Sequence, residues 1–157
     1  MKSVNSQALM EIPSTVVYHR SPSYPPIKQQ DSPNNYTILI VEDDQPIREL
    51  IGLYLKTLGY HILLAENGFN ALESINLYSV DLVLLDILLP RMDGLAVCTA
   101  IRKFSEIPII MLTALNSLNY AASAFQLGAD GYITKPFHLS TLKLRIQNLL
   151  HNHLTLV

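Results

Sequence analysis

The sequence predicts an α/β protein: a doubly wound, five-stranded parallel sheet with five helices. Three observations predict it. Short, nearly all-apolar runs recur five times between Thr37 and Thr134. Each run is followed by a segment whose apolar residues return at helical spacing. The runs are continuous rather than alternating, which marks strands buried on both faces and joined by crossover helices.

The first strand is "TILIV" (37–41). After it, Ile47, Leu50, Ile51, Tyr54, Leu55 and Leu58 form one stripe of an amphipathic helix that stops at Gly59. "HILLAE" (61–66) is the second strand, and the helix after Gly68 is expected to bury Leu72, Ile75 and Leu77. "LVLL" is the third strand; beyond "PRMDG", Leu95, Cys98 and Ile101 mark a third helix. Pro108 opens the fourth strand, "IIML", and Leu118, Ala121, Ala122 and Phe125 trace a helix ending at Gly128. "GYIT" is the fifth strand, followed by a helix carrying Leu139, Leu142, Ile146, Leu149 and Leu150. Residues 36–150 therefore read as one domain, and 151–157 as a short tail.

Residues 1–35 differ: they hold five of the nine prolines, six serines and no glycine. Proline lacks the amide donor and restricts the residue before it, so this stretch is expected to be a mobile extension. A docking peptide around "YPPI" is the less favoured reading. Net charge is −2 from 11 basic and 13 acidic residues. That balance argues against direct nucleic-acid binding, which needs clustered Lys and Arg. No apolar run reaches the roughly 18 residues of a membrane span, and the N-terminus has no continuous apolar segment of the signal-peptide kind. One cysteine, Cys98, excludes an intramolecular disulfide and fits a reducing compartment. The expected location is the cytosol, with no membrane partner.

In an open parallel sheet the strand C-termini share one edge, and that edge carries the site. The first strand delivers Glu42, Asp43 and Asp44, the third Asp86, the fourth Thr113 and the fifth Lys135. Glu66 and Asn67, after the second strand, are expected at the outer edge with a lesser part. Asp86 lies in the apolar run "DLVLLDILLP", where an unpaired charge costs several kcal/mol. Crowded carboxylates repel each other, and a hard divalent cation with oxygen ligands relieves the repulsion. A carboxylate beside Mg²⁺, a lysine and a small hydroxyl is equipped to accept a phosphoryl group as an in-line nucleophile. "EDDQPIR" has no glycine loop and would repel a nucleotide phosphate or FMN.

"ILIVEDDQPIREL", "DLVLLDILLPRMDG", "IPIIMLTA" and "GADGYITKPF" together resemble the receiver domain of bacterial two-component response regulators. The closest resemblance is to the subfamily that usually carries a winged-helix DNA-binding domain. It implies a flavodoxin-like receiver with strand order 2-1-3-4-5. It makes Asp86 the phosphorylated residue and Asp43 a direct Mg²⁺ ligand (Mn²⁺ as an alternative). The Leu88 backbone carbonyl is then the third protein ligand, and Glu42 acts through a water. Lys135 pairs with the phosphoryl oxygens, and its own bond to Pro136 is expected to be cis. Thr113 and Tyr132 match the switch pair, and Asp44, Ala114 and Pro136 support the site. Arg48 matches the arginine common in the first helix. The resemblance further implies a sensor histidine kinase or phosphotransfer protein as partner, an unidentified output protein, and a switch face made by the fourth helix, fifth strand and fifth helix. Such a domain catalyses its own phosphorylation without being a turnover enzyme.

Two departures stand out. The fourth helix segment "SLNYAASAFQLG" has no charge, and Gly131 stands where an acid is usual, which argues against the family's salt-bridged dimer through Arg145. Asp130 is retained. No effector domain follows, so the chain reads as a stand-alone receiver or as the receiver fragment of a longer DNA-binding regulator. Leu88 and Leu115 are apolar and cannot orient a hydrolytic water, so slow autodephosphorylation is expected.

Duller readings exist for each residue. Asp44 reads mainly as a helix N-cap and Asp93-Gly94 as a helix start. Thr113 can be a strand-end hydroxyl, Lys135 a surface lysine, Tyr132 a half-buried aromatic and Cys98 a core residue. His151 and His153 form at most a weak metal pair. A dehalogenase-type aspartyl phosphatase needs a second Asp two residues after the nucleophile, where Leu88 stands. An interaction module indifferent to phosphorylation usually breaks the acidic pair or loses the Lys, and neither is broken.

Overall fold

The computed structural model describes residues 35–154, the side chains to residue 151. Apart from Asn35, the N-terminal extension with its "YPPI" segment lies outside this description, as does the side chain of His153. The order is β1 (Thr37–Val41), α1 (Gln45–Thr57), β2 (His61–Ala65), α2 (Gly68–Leu77), β3 (Leu82–Leu85), α3 (Gly94–Arg102), β4 (Ile109–Thr113), α4 (Leu118–Gln126), β5 (Gly131–Thr134) and α5 (Leu139–Leu154). All neighbouring strands pair in parallel, in the order β2-β1-β3-β4-β5.

Successive side chains of a strand point to opposite faces, so each central strand feeds two cores. One face takes Leu39, Val41, Val83, Leu85 and Met111 and is covered by Ala71 of α2, Val97, Cys98 and Ile101 of α3, and Ala124 of α4. The other takes Ile38, Ile40, Leu84, Ile110 and Leu112 and is covered by Ile51 and Leu55 of α1 and Leu142 and Ile146 of α5. Burying each such Leu or Ile contributes about 1.5–3 kcal/mol.

Helix ends follow local chemistry. Asp44, Asn67, Asp93 and Ser117 each cap the next helix by accepting a backbone N–H three residues on. Gly59 and Gly128 close α1 and α4 with φ of 92° and 102°, a conformation that burdens residues bearing a Cβ.

Several packing expectations need correction. Leu77 is 67% exposed because it lies off the face set by Ala71, Leu72 and Ile75. Leu50, on the flank of the α1 stripe, is 57% exposed. In α4 the buried residue is Ala124, while Leu118 and Phe125 are exposed. Helix α5 runs through Leu154, so the first four residues expected as a tail are helical.

Candidate phosphoacceptor site

The parallel register sets Val41 of β1 beside Leu85 of β3, so the residues that follow, Glu42 and Asp86, leave the sheet together. The Asp86 N–H donates to the Val41 carbonyl at 3.0 Å, and the Glu42 N–H to the Ala65 carbonyl at 3.1 Å. Both acids are buried, 5% and 3% exposed, whereas Asp43 is exposed. Asp44 turns away from the pocket: its Oδ1 accepts the Ile47 N–H at 3.0 Å, the capping role expected of it. Arg48 of α1 reaches back and donates to the Glu42 carbonyl at 2.6 Å, fixing the acidic turn from below.

Lys135 joins the two buried acids. Its Nζ lies 2.8 Å from Asp86 Oδ2 and also bonds Glu42 Oε2. Its own N–H donates to the Thr113 carbonyl at 2.8 Å, and the Lys135–Pro136 bond is cis as expected. Burial alone pulls the ammonium's pKa down, but contacts with Asp86 and Glu42 outweigh it and hold the value above 10.5. Glu42 moves up from 4.5: its burial, with Asp86 close by, prevails over the pull of Lys135.

The remaining predicted residues differ in how they relate to this pocket. The Leu88 N–H donates to Asp86 Oδ1 at 2.9 Å, which fixes the carboxylate and holds Leu88 beside it. Thr113 is fully buried, with its Oγ1 accepting the Leu115 N–H at 3.3 Å. Ala114 is exposed next to it. Half-buried Tyr132 donates its hydroxyl to the Leu115 carbonyl at 2.5 Å, so Thr113 and Tyr132 both bond Leu115. Nothing in the sequence singled out that carbonyl. Pro136 lies outside the acid pocket, in an apolar hollow with Ile47, Leu50 and Phe137. Glu66 and Asn67 come closer than expected, lining with Asp43, Pro90 and Arg91 a cleft of about 330 Å³.

Carboxylate oxygens of Glu42, Asp43 and Asp86 lie within 4.8 Å of one another. Three oxygen donors, two of them buried, suit a hard divalent cation such as Mg²⁺, so the residues present fit that metal. Lys135 bonds the two buried acids, Glu42 and Asp86, while Asp43 is exposed.

The family model of the response regulator receiver domain matches residues 38–147. The chain belongs to this family. Curated relatives include the probable transcriptional regulators ycf27 of Cyanidium caldarium, 42% identical over 79% of this chain and 50% of the relative, and of Cyanophora paradoxa, 42% identical over 74% and 49%. This receiver spans about half the length of those relatives. Among solved structures, the Francisella response regulator 1452 receiver domain is 30% identical with a TM-score of 0.73, covering 76% of this chain and 99% of that one. The BeF3-activated N-terminal receiver domain of Klebsiella pneumoniae RstA is 35% identical with a TM-score of 0.70, covering 73% and 97%. No helix among the described residues is long and apolar enough to cross a membrane.

Proposed function

We propose that this receiver is a cytosolic phosphoacceptor switch. A sensor histidine kinase or phosphotransfer protein donates a phosphoryl group to Asp86. The observation that carries the reading is the contact of Lys135 with Asp86 and Glu42 inside a cluster of three carboxylates. One carboxylate oxygen of Asp86 forms a bond to phosphorus in line with the departing P–N bond, whose electron pair stays on the donor's imidazole nitrogen. Glu42, Asp43, Asp86 and the Leu88 carbonyl would hold Mg²⁺, which when bound neutralises and orients the phosphoryl oxygens. Lys135, already charged and placed against Asp86, offsets the negative charge added there. The Thr113 hydroxyl then exchanges the Leu115 N–H for a phosphoryl oxygen, and Tyr132 follows by leaving the Leu115 carbonyl. The face of α4, β5 and α5 repacks and changes its protein contacts. The protein modifies itself and is not a turnover enzyme.

Incubation with Mg²⁺ and acetyl phosphate, followed by intact-mass measurement, tests this. One added phosphoryl group that is lost in Asp86→Ala supports the switch; no gain in wild type contradicts it.

The half-length match to transcriptional regulators favours a second reading of the output: this receiver is the regulatory part of a longer DNA-binding protein. Phosphorylation at Asp86 is common to both readings.

A further inference from the structure

Arg91 is the one non-glycine residue with positive φ among those described, at 68°. Left-handed backbone is unfavourable for a side chain of this kind by about 1 kcal/mol, and glycine would adopt it freely. The loop carrying it is fixed at both ends. The Leu89 and Gly94 N–H groups both donate to the Ile87 carbonyl, at 3.0 and 2.8 Å, and the Met92 N–H donates to Pro90 at 2.8 Å. A Cβ on Gly94 would stand 2.1 Å from the Asp86 carbonyl oxygen, so the loop is pressed onto the phosphoacceptor strand. A tight loop thus presents an arginine at a fixed point, against its backbone preference.

That point is the cleft beside Asp43. No hydrogen bond or ion pair ties the Arg91 side chain among the described residues. Asn67, across the cleft, uses its Oδ1 to accept the Asn70 N–H, which leaves its amide NH₂ as a donor. In the acid pocket, three carboxylates face one ammonium, an excess of two negative charges that a divalent cation would cancel. Arg91 is the cation among the residues that line the cleft beside Asp43, where Glu66 is the other charge.

We propose that Arg91, assisted by Asn67, is a specificity-determining residue that captures the anionic oxygens of a small acyl phosphate as it approaches Asp86. This rests on Asp86 being the phosphoacceptor. Its charge raises the local concentration of the dianion, and its fixed loop orients it.

The test compares wild type, Arg91→Gly and Arg91→Lys with Mg²⁺ and acetyl phosphate, following the second-order rate of phosphorylation by intact mass at low and high salt. Arg91→Gly should react about fivefold more slowly at low salt, the difference shrinking at high salt. Arg91→Lys should recover part of the rate. Melting temperature supplies the independent readout: Arg91→Gly should melt no lower than wild type, since glycine suits the backbone. Equal rates for wild type and Arg91→Gly, or a deficit that ignores salt, overturn the arginine's role alone. A wild type that acetyl phosphate never labels removes the phosphoacceptor reading beneath it as well.

Discussion

Asp130 is bound to Arg102 of its own chain: its Oδ2 accepts from Arg102 Nη2 at 2.9 Å and from the Ile109 N–H at 2.8 Å. Arg102 also donates to the Gly128, Ser105 and Ile107 carbonyls, so one guanidinium ties the end of α3 to the turn before β5 and the approach to β4. Asp130→Ala should cost about 1–2 kcal/mol in urea unfolding, chiefly because the Ile109 N–H loses its acceptor. The ion pair adds little, since both side chains are partly exposed. An unchanged midpoint would contradict this.

With Asp130 so engaged and Gly131 without charge, Arg145 has no acid on the strand to meet in a second copy. Arg145→Glu should leave the sedimentation of the phosphorylated protein unchanged. Loss of a dimer on that charge reversal would restore the salt-bridged arrangement usual in the family.

Lys135→Met strands two buried carboxylates. It should cost about 3 kcal/mol without metal, and added Mg²⁺ should stabilise the variant more than wild type. The raised pKa of Lys135 fixes the sign: its contribution is complete below pH 10.5 and is lost as pH rises through the folded value. Denaturant titrations at neutral and alkaline pH check both points.

Glu42 follows the same sign in the acid range. Its folded pKa is raised by burial and by Asp86, so the stability it contributes is present below pH 4.5 and lost as pH rises through the folded value. Glu42→Gln removes that loss. The melting temperature of the variant relative to wild type should therefore climb from pH 4.5 to neutrality, while its affinity for Mg²⁺, measured by calorimetry, falls. A difference independent of pH would contradict the assignment.

Leu88 is half exposed with its N–H on Asp86, and Leu115 is half buried with its N–H on Thr113; both side chains are apolar. The acyl phosphate should persist for minutes or longer once the donor is removed, and Leu88→Asn should shorten its life by offering a polar group to water. A wild-type half-life of seconds would refute this.

Much of this was legible in the sequence, for physical reasons. Parallel strands must be apolar on both faces, so "TILIV" and "LVLL" announce themselves, and a charge ending such a run, as at Asp86, needs a partner. The convergence of Glu42, Asp43, Asp86 and Lys135 followed from the shared strand edge, whereas the strand order came from the resemblance. What stayed hidden depends on tertiary contacts that sequence spacing does not encode. Leu77 and Phe125 are apolar at plausible positions, yet neighbouring residues take the buried face. The Tyr132 hydroxyl meets the Leu115 carbonyl across 17 positions, and Arg102 meets Asp130 across 28. Arg91 gave no signal within "PRMDG", because its significance lies in a backbone angle and a cleft.

The most direct measurement of the central claim is residue-level mapping of the acyl phosphate. The protein is phosphorylated with acetyl phosphate and Mg²⁺, reduced with borohydride to convert the modified aspartate to homoserine, and its peptides are sequenced by mass spectrometry. Homoserine at position 86 alone is predicted, with none when Mg²⁺ is chelated. Homoserine at Asp43 or elsewhere, or labelling that ignores the metal, would contradict the account.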